Sequence, residues 1–268
     1  MPIRVPDNLP ALKALHAESV DIIPQTQAVR QDIRPLRLLL LNLMPKKRDT
    51  EIQFARLFGN TPLQVEMILM TTASYTPQNT EPGYLRRFYR QLDDVRDDYF
   101  DALIITGAPI ETLPFEDVKY WTELTEIMEW SREHCFRRLG VCWGAQALLW
   151  HFHKVQKHEL KSKLFGIFEH HLSDVSGRLM HGFTDRFPMP ASRYTMNRSE
   201  DLMAAGLNVL AEGGECGAGM VRDPDSGDLF VFNHLEYDAT TIGDEYHRDL
   251  AAGLDTALPQ NYFPNDDP

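Results

Sequence analysis

The chain has 268 residues, enough to bury a substantial core in one α/β domain or in two small ones. It is 43% hydrophobic and 25% charged, the balance of an ordinary globular protein. A formal net charge of −12 argues against a nucleic-acid surface, which needs a basic stripe to displace counterions.

No apolar run approaches the roughly 18–20 residues that span a bilayer. The N-terminal "MPIRVPDNLPALKALHAESV" lacks the basic and apolar regions of a secretory signal. Three cysteines, Cys135, Cys142 and Cys216, are too few and too scattered for a disulfide framework. They point to a reducing cytoplasm, where the Asn197–Ser199 sequon has no consequence.

Residues 1–34 read as a proline-punctuated N-terminal arm with a short helix over Ala11–Glu18. "LRLLLLNLM" (Leu36–Met44) then reads as a strand buried on both faces, the habit of parallel sheets. Asp49 or Thr50 can cap a helix running to Leu57, stopped at Gly59-Asn60. "LQVEMILMT" (Leu63–Thr71) is a second strand, followed by a polar segment and a helix around Tyr84–Leu92. "FDALIITGAP" (Phe100–Pro109) is a third strand, and Phe115–His134 carries the helical apolar spacing of a long amphipathic helix.

"FRRLGVCW" supplies a fourth strand and "GAQALLWHFH" the helix after it. In the second half "KLFGIFEHHL" and "NVLAEGG" read as shorter strands, some antiparallel. "LFVFNHLEYD" (Leu229–Asp238) reads as a later strand, and Thr240–Gly253 as a helix closed by glycine. This alternation predicts an α/β fold, a mostly parallel sheet with helices on both faces. Neither a linker nor an internal repeat divides 35–268, so a single domain is expected. Ligands sit at the carboxyl ends of such strands, where Gly107, Cys142 and the residues after Leu229 all fall.

Gly140-Val141-Cys142-Trp143-Gly144 has the spacing of a nucleophile elbow. A sharp strand-to-helix turn strains the nucleophile's backbone and demands small neighbours. It also points the thiol at a helix N-terminus, where the dipole favours a thiolate. The Trp143 backbone N–H is then placed to stabilise an oxyanion. A buried structural cysteine is the commoner fate of this residue type; the glycines and the strand-to-helix setting favour the catalytic role here.

A thiol nucleophile needs a base, and the base an orienting acceptor. Of 10 histidines, His234 lies two residues from Glu236 in "NHLEYD", and alternate residues of an extended segment point the same way. His151, His153 and His158 form a rival cluster and with Glu159 suggest a metal. Their helix leads away from the elbow, however, and no second ligand set has zincin spacing. Packing or solvation accounts better for them, so no metal is expected; His170 and His171 are minor candidates.

An elbow cysteine in "GVCWGAQ" with a late His-x-Glu resembles the class I glutamine amidotransferases. The chain is more closely similar to one family of that superfamily, the homoserine O-acyltransferases of methionine biosynthesis. The resemblance is carried by "MPIRVPDNLPALKAL", "LNLMPKKRDTEIQFARLFGNTPLQVE", "ITGAPIETLPFEDVKYW", "CWGAQALLWHF", "KLFGIFEH", "SRYT", "EYHRDLAAG" and "NYFP". These cover essentially the whole chain. Two positions depart from the family pattern: Leu235 stands where proline is common, and Ala191 where histidine often precedes the "SRYT" serine. Family members usually continue past "NYFP", whereas this sequence stops at Pro268.

The resemblance implies a flavodoxin-like three-layer fold and one acyltransferase domain over 1–268. It also implies a homodimer and acyl-CoA as co-substrate, with no bound cofactor. Cys142 would carry the acyl group as a thioester, His234 would deprotonate the homoserine hydroxyl, and Glu236 would orient the imidazole. Lys163, Ser192 and Arg248 match the family's amino-acid-binding residues, and cations suit the homoserine carboxylate. Lys47, in the basic turn "PKKRD", matches a place at the site mouth or against the CoA phosphates; alone, such a turn reads as solvated.

Glu111 matches the position that separates succinyl-using members, which have glycine, from acetyl-using ones. A glutamate shortens the acyl pocket and repels a succinyl carboxylate, since like charges ~4 Å apart cost about 4 kcal/mol at an effective dielectric of ~20. The expected reaction is transfer from acetyl-CoA to L-homoserine. The alternatives are a succinyl donor, a serine acceptor (one methylene shorter, worth roughly 1–3 kcal/mol), an amidotransferase-like hydrolase, or a scaffold that has lost catalysis.

Overall fold

The structure is a computed structural model that describes residues 3–18, 20, 22–28, 34–75, 79–173, 178–266 and 268. Parts of the N-terminal arm (1–2, 19, 21 and 29–33) and of the polar segment (76–78) lie outside the described residues. The chain divides into two compact units. The first comprises Met1–Pro109 and Pro114–Leu139; the second comprises Ile110–Leu113 and Gly140–Pro268.

The first unit is built on parallel strands. β1 (Ile3–Val5), β2 (Ile22–Pro24), β3 (Leu36–Leu41), β4 (Val65–Met70), β6 (Phe100–Ile105) and β7 (Cys135–Val141, its last two residues counted in the second unit) lie in the order β2-β1-β4-β3-β6-β7, and β5 (Tyr89–Arg90) pairs with β4. β3 is the centre of this arrangement: Leu38 faces Ala102 on one side and Met67 on the other, and Leu39 to Leu41 are wholly buried. A strand covered on both faces needs apolar residues at every position, which is why its leucines run without alternation. Asn42 ends it.

α1 (Ala11–Ala17) and α2 (Gln25–Ala28) belong to the arm, and α3 (Lys47–Gly59) starts two residues before the expected cap. The helix expected around Tyr84–Leu92 is three pieces: α4 (Pro82–Phe88), β5 and α5 (Leu92–Val95). Extended backbone at Tyr89 (φ −103°, ψ 147°) lets Tyr89 and Arg90 pair with Leu69 and Met70. Val118, also extended, separates a single 3₁₀ turn at Phe115–Asp117 from α6 (Trp121–His134), so the long helix begins later than its apolar spacing suggests. α6 buries Leu124, Ile127, Met128 and Ser131, the i, i+3, i+4, i+7 stripe of an amphipathic helix.

The second unit is antiparallel in its strands. β8 (His158–Leu172), β9 (Arg186–Met196), β10 (Asn208–Gly213), β11 (Gly217–Arg222) and β12 (Leu229–Val231) lie in the order β12-β11-β10-β8-β9. α7 (Trp143–His153), α8 (Ser199–Ala204) and α9 (Thr241–Ala251) complete it. β8 and β9 form a long pair with Phe165 opposite Ser192. Gly166, at φ 139°, lets the C-terminal segment add to β8, since a Cβ there would lie 2.2 Å from the Gln260 carbonyl oxygen. Gln260 N donates to Phe165 O and Ile167 N to Gln260 O, both at 2.9 Å.

The later strand is shorter than expected. β12 ends at Val231, and His234 and Glu236 stand in the turn that follows it. No helix among the described residues is long and apolar enough to cross a membrane.

Candidate active site

Cys142 stands between β7 and α7 with φ 51° and ψ −117°, a conformation that costs a side-chain-bearing residue roughly 1–3 kcal/mol. Its amide donates to Val231 O at 2.7 Å, and its carbonyl accepts from Ala145 N at 3.1 Å and Gln146 N at 3.2 Å. The turn is so tight that a Cβ on Gly140 would lie 2.4 Å from Ala145 Cα. Only glycine fits, which is the physical content of the elbow spacing. α7 is buried on almost every side over its first two turns, so the nucleophile sits on a rigid element. Trp143 follows as the first helical residue and is wholly buried.

His234 and Glu236 meet although neither is on a strand. His234 Nδ1 lies 2.7 Å from Glu236 Oε1, and both side chains are buried. Nδ1 is thereby committed to the carboxylate, leaving Nε2 for the Cys142 thiol, to which the ring is hydrogen-bonded. His234 N donates to Pro190 O at 2.9 Å, and the Tyr237 ring stacks on the imidazole at 4.1 Å between centroids. Burial alone would push the imidazole down. The Glu236 carboxylate and Cys142, by charge and by hydrogen bond, outweigh burial and hold His234 well above the ordinary histidine value.

Lys163 of β8, Ser192 of β9 and Arg248 of α9 converge on two carboxylates that sequence reading passed over. Lys163 Nζ lies 2.7 Å from Glu245 Oε1 and 3.4 Å from Asp249 Oδ2, and Ser192 Oγ donates to the same Glu245 oxygen at 2.7 Å. Arg248 holds Asp249 Oδ1 through Nε at 2.8 Å and Nη2 at 2.6 Å. Glu245, Arg248 and Asp249 stand at i, i+3 and i+4 on α9, so their shared face was the available signal. Cations beside carboxylates are what a zwitterionic amino acid requires.

Glu111 lies in the four-residue stretch of the second unit. Its Oε1 accepts from Tyr194 N at 2.9 Å. Burial pushes its carboxyl up; the Tyr194 N–H, His234 and Lys163 pull it back, and Glu245 adds to the push. His234, Lys163 and Glu245 thus all act on the Glu111 carboxyl.

Lys47 belongs to the first unit. It is buried rather than part of a solvated turn, and its ammonium donates to Asn42 O at 2.6 Å. Burial lowers it to about 8, against the upward pull of Glu51. The rival histidines find other partners: His158 Nε2 lies 2.9 Å from Asp201 Oδ2, and His153 Nε2 lies 3.6 Å from Asp223 Oδ2. His170 is buried in a separate network, with Nδ1 on Phe168 O at 2.9 Å and Nε2 within 2.8 Å of Asn233 Nδ2. Cys216 Sγ is 3.1 Å from the same nitrogen, and burial pushes that thiol up, with Arg193 opposing. Cys216 is therefore a poor rival to Cys142 as nucleophile.

Comparison with known proteins gives the family and the fold. A family profile described as "Homoserine O-succinyltransferase" matches residues 2–268. A homoserine O-acetyltransferase of Brevibacillus brevis is 49% identical over 269 residues, covering 100% of this chain and 88% of that protein. One from Synechococcus elongatus is 51% identical, covering 100% and 90%. Among solved structures, a glutamine amidotransferase of Thermotoga maritima is similar with a TM-score of 0.57 at 13% identity, covering 82% of this chain and 86% of that one. Another, from Methylobacillus flagellatus, has a TM-score of 0.53 at 12% identity, covering 84% and 80%. The expected fold is thus found, and the chain belongs to the homoserine O-succinyltransferase family.

Proposed function

We propose that this protein transfers the acetyl group of acetyl-CoA to the hydroxyl of L-homoserine, giving O-acetyl-L-homoserine and CoA. The observation that carries the mechanism is the hydrogen-bonded series Cys142–His234–Glu236 at a strained elbow. His234 Nε2 takes the thiol proton, and the Cys142 sulfur attacks the thioester carbonyl. The Trp143 N–H stabilises the oxyanion, and CoA leaves with the proton from His234. His234 then takes the proton of the homoserine hydroxyl, whose oxygen attacks the acyl-enzyme and frees Cys142. Proton transfer by a placed base contributes typically ~10²–10⁴-fold.

Lys163 and Arg248 are assigned to the homoserine carboxylate, Glu245 and Asp249 to its ammonium, and Ser192 to holding Glu245. Acetyl rather than succinyl follows from Glu111, whose partly buried carboxyl would face a succinyl carboxylate. The names of the full-length relatives agree with acetyl, and the family's description names succinyl. The resemblance further suggests that 1–268 works as one acyltransferase domain, as a cytoplasmic homodimer. Lys47 is matched to the CoA phosphates by the resemblance alone; its lowered value lets it lose its charge in the mildly alkaline range.

One assay matrix tests this reading: acetyl-CoA and succinyl-CoA against homoserine and serine, following thiol release. Acetyl-CoA with homoserine should be the fastest pair. Intact mass should show one added acetyl group, absent in Cys142→Ala. Transfer undiminished in Cys142→Ala would overturn the covalent route.

A further inference from the structure

We propose that Lys157 is a positioning residue for donor choice, its ammonium gripping the turn that carries Glu111. This rests on the reading of Glu111 as the donor-selecting residue.

Lys157 Nζ donates to Glu111 O and to Leu113 O, both at 2.6 Å. Leu113 N donates to Ile110 O at 3.0 Å, closing the same turn from within. The stretch Ile110–Leu113 belongs to the second unit although Pro109 and Pro114 on either side belong to the first. Thr112 and Leu113 are exposed and Ile110 is only half-buried, so burial holds this turn weakly and polar partners matter more. Two are present, the Lys157 ammonium on the carbonyls and the Tyr194 amide on the Glu111 carboxylate. The carboxylate is thus tied at both ends of its residue.

Lys157 is itself well anchored. α7 closes on Lys154, which is left-handed at φ 57° with its amide on Trp150 O at 3.2 Å. Val155 N then donates to Leu149 O at 3.3 Å and its side chain is buried. Lys157 follows, one residue before β8 begins. The segment that grips the Glu111 turn therefore follows directly on the helix that Cys142 precedes. The contacts Lys157 makes here are to main-chain carbonyls, so it acts on the path of the turn itself. Lysine supplies several donors on one nitrogen, enough for two carbonyls at once.

The test is a double-variant cycle read as the ratio of kcat/KM for acetyl-CoA to that for succinyl-CoA, with homoserine saturating. Lys157→Met should lower the ratio about tenfold, since misplacing a group by ~1 Å can cost up to 10²-fold. Lys157→Arg should restore most of it. In a Glu111→Gly background Lys157→Met should leave the ratio unchanged. If Lys157→Met folds poorly, Lys157→Gln gives the same readout. A Lys157 variant that slows both donors equally, or leaves the ratio at the wild-type value while Glu111→Gly shifts it, overturns the role of Lys157 alone. A ratio unmoved by Glu111→Gly overturns the Glu111 reading, and the Lys157 proposal with it.

Discussion

Lys163 and Glu245 form an ion pair of 2.7 Å, and the Ser192 hydroxyl donates to the same Glu245 oxygen. The pair links β8 to α9 across 82 residues of sequence and keeps Lys163 nearly buried. A serine and a lysine on one carboxylate oxygen leave Glu245 little rotational freedom. On the proposed assignment, its other oxygen would be the one to meet the homoserine ammonium.

Glu245→Gln keeps the size and removes the charge. Hydrogen bonds to charged groups are worth ~1.5–3 kcal/mol, so KM for homoserine should rise by roughly 10–100-fold. The rate of Cys142 acetylation, measured by quenched-flow mass spectrometry without homoserine, should stay within a factor of about 2. An equal fall in both would show that Glu245 supports the fold and not the acceptor.

The raised His234 imidazole has a sign that can be tested. A histidine whose folded value lies above its unfolded one contributes stability that is fully present below about pH 6.5 and is lost as pH rises through the folded value. Glu236→Gln removes the larger of the two groups raising it. Thermal denaturation against pH should then show a weaker alkaline decline than in the wild type, together with kcat lower by ~10²–10⁴-fold. Parallel denaturation curves for the two proteins would remove Glu236 as the cause.

Gly140→Ala probes the elbow. The new methyl would meet Ala145 Cα at 2.4 Å and Ala145 N at 2.5 Å, both backbone atoms that cannot swing aside. Forcing a methyl group into a packed junction costs typically ~1–3 kcal/mol. The variant should melt several degrees lower and acetylate Cys142 more slowly, by intact mass. A wild-type melting point with undiminished acetylation would mean that the turn relaxes freely.

What the sequence disclosed follows from range. The elbow was legible because its determinants, Gly140, Cys142 and the helix after them, are within a few residues of each other. His234 and Glu236 were chosen correctly as neighbours for an incomplete reason: β12 ends at Val231, so the turn and not strand alternation brings them together. β9 went unread because Pro188 and Pro190 argue against a strand. It stands last in the strand order, where a missing N–H is tolerated. β1 and β2 have only three residues each, too short for any alternation to show. Glu245 and Asp249 went unread because their partners, Lys163 and Ser192, come from strands dozens of residues earlier.

His170 gives the last test. It is wholly buried, with Nδ1–H donating to Phe168 O at 2.9 Å, so its Nε2 is an acceptor for Asn233 Nδ2 at 2.8 Å. Asn233 Oδ1 in turn takes Arg193 Nε at 3.4 Å, and Asn233 immediately precedes His234. Gly219 makes room for the ring: a Cβ there would lie 2.4 Å from His170 Cδ2. Burial pushes this imidazole down, the Phe168 carbonyl opposing and Arg193 adding to the push. A histidine held neutral in the fold contributes stability that is present above about pH 6.5 and is lost as pH falls below it, opposite in sign to His234. His170→Leu takes a partner from the Asn233 amide, the Phe168 carbonyl and the Cys216 thiol, and a buried polar group left unsatisfied costs ~1–3 kcal/mol. Its urea midpoint should therefore fall at pH 8, and its further loss between pH 6.5 and 5 should be smaller than in the wild type. His170→Gln, which can still accept from Asn233, should recover part of the midpoint. An acid limb unchanged by His170→Leu would show that another group, and not this imidazole, takes up the proton.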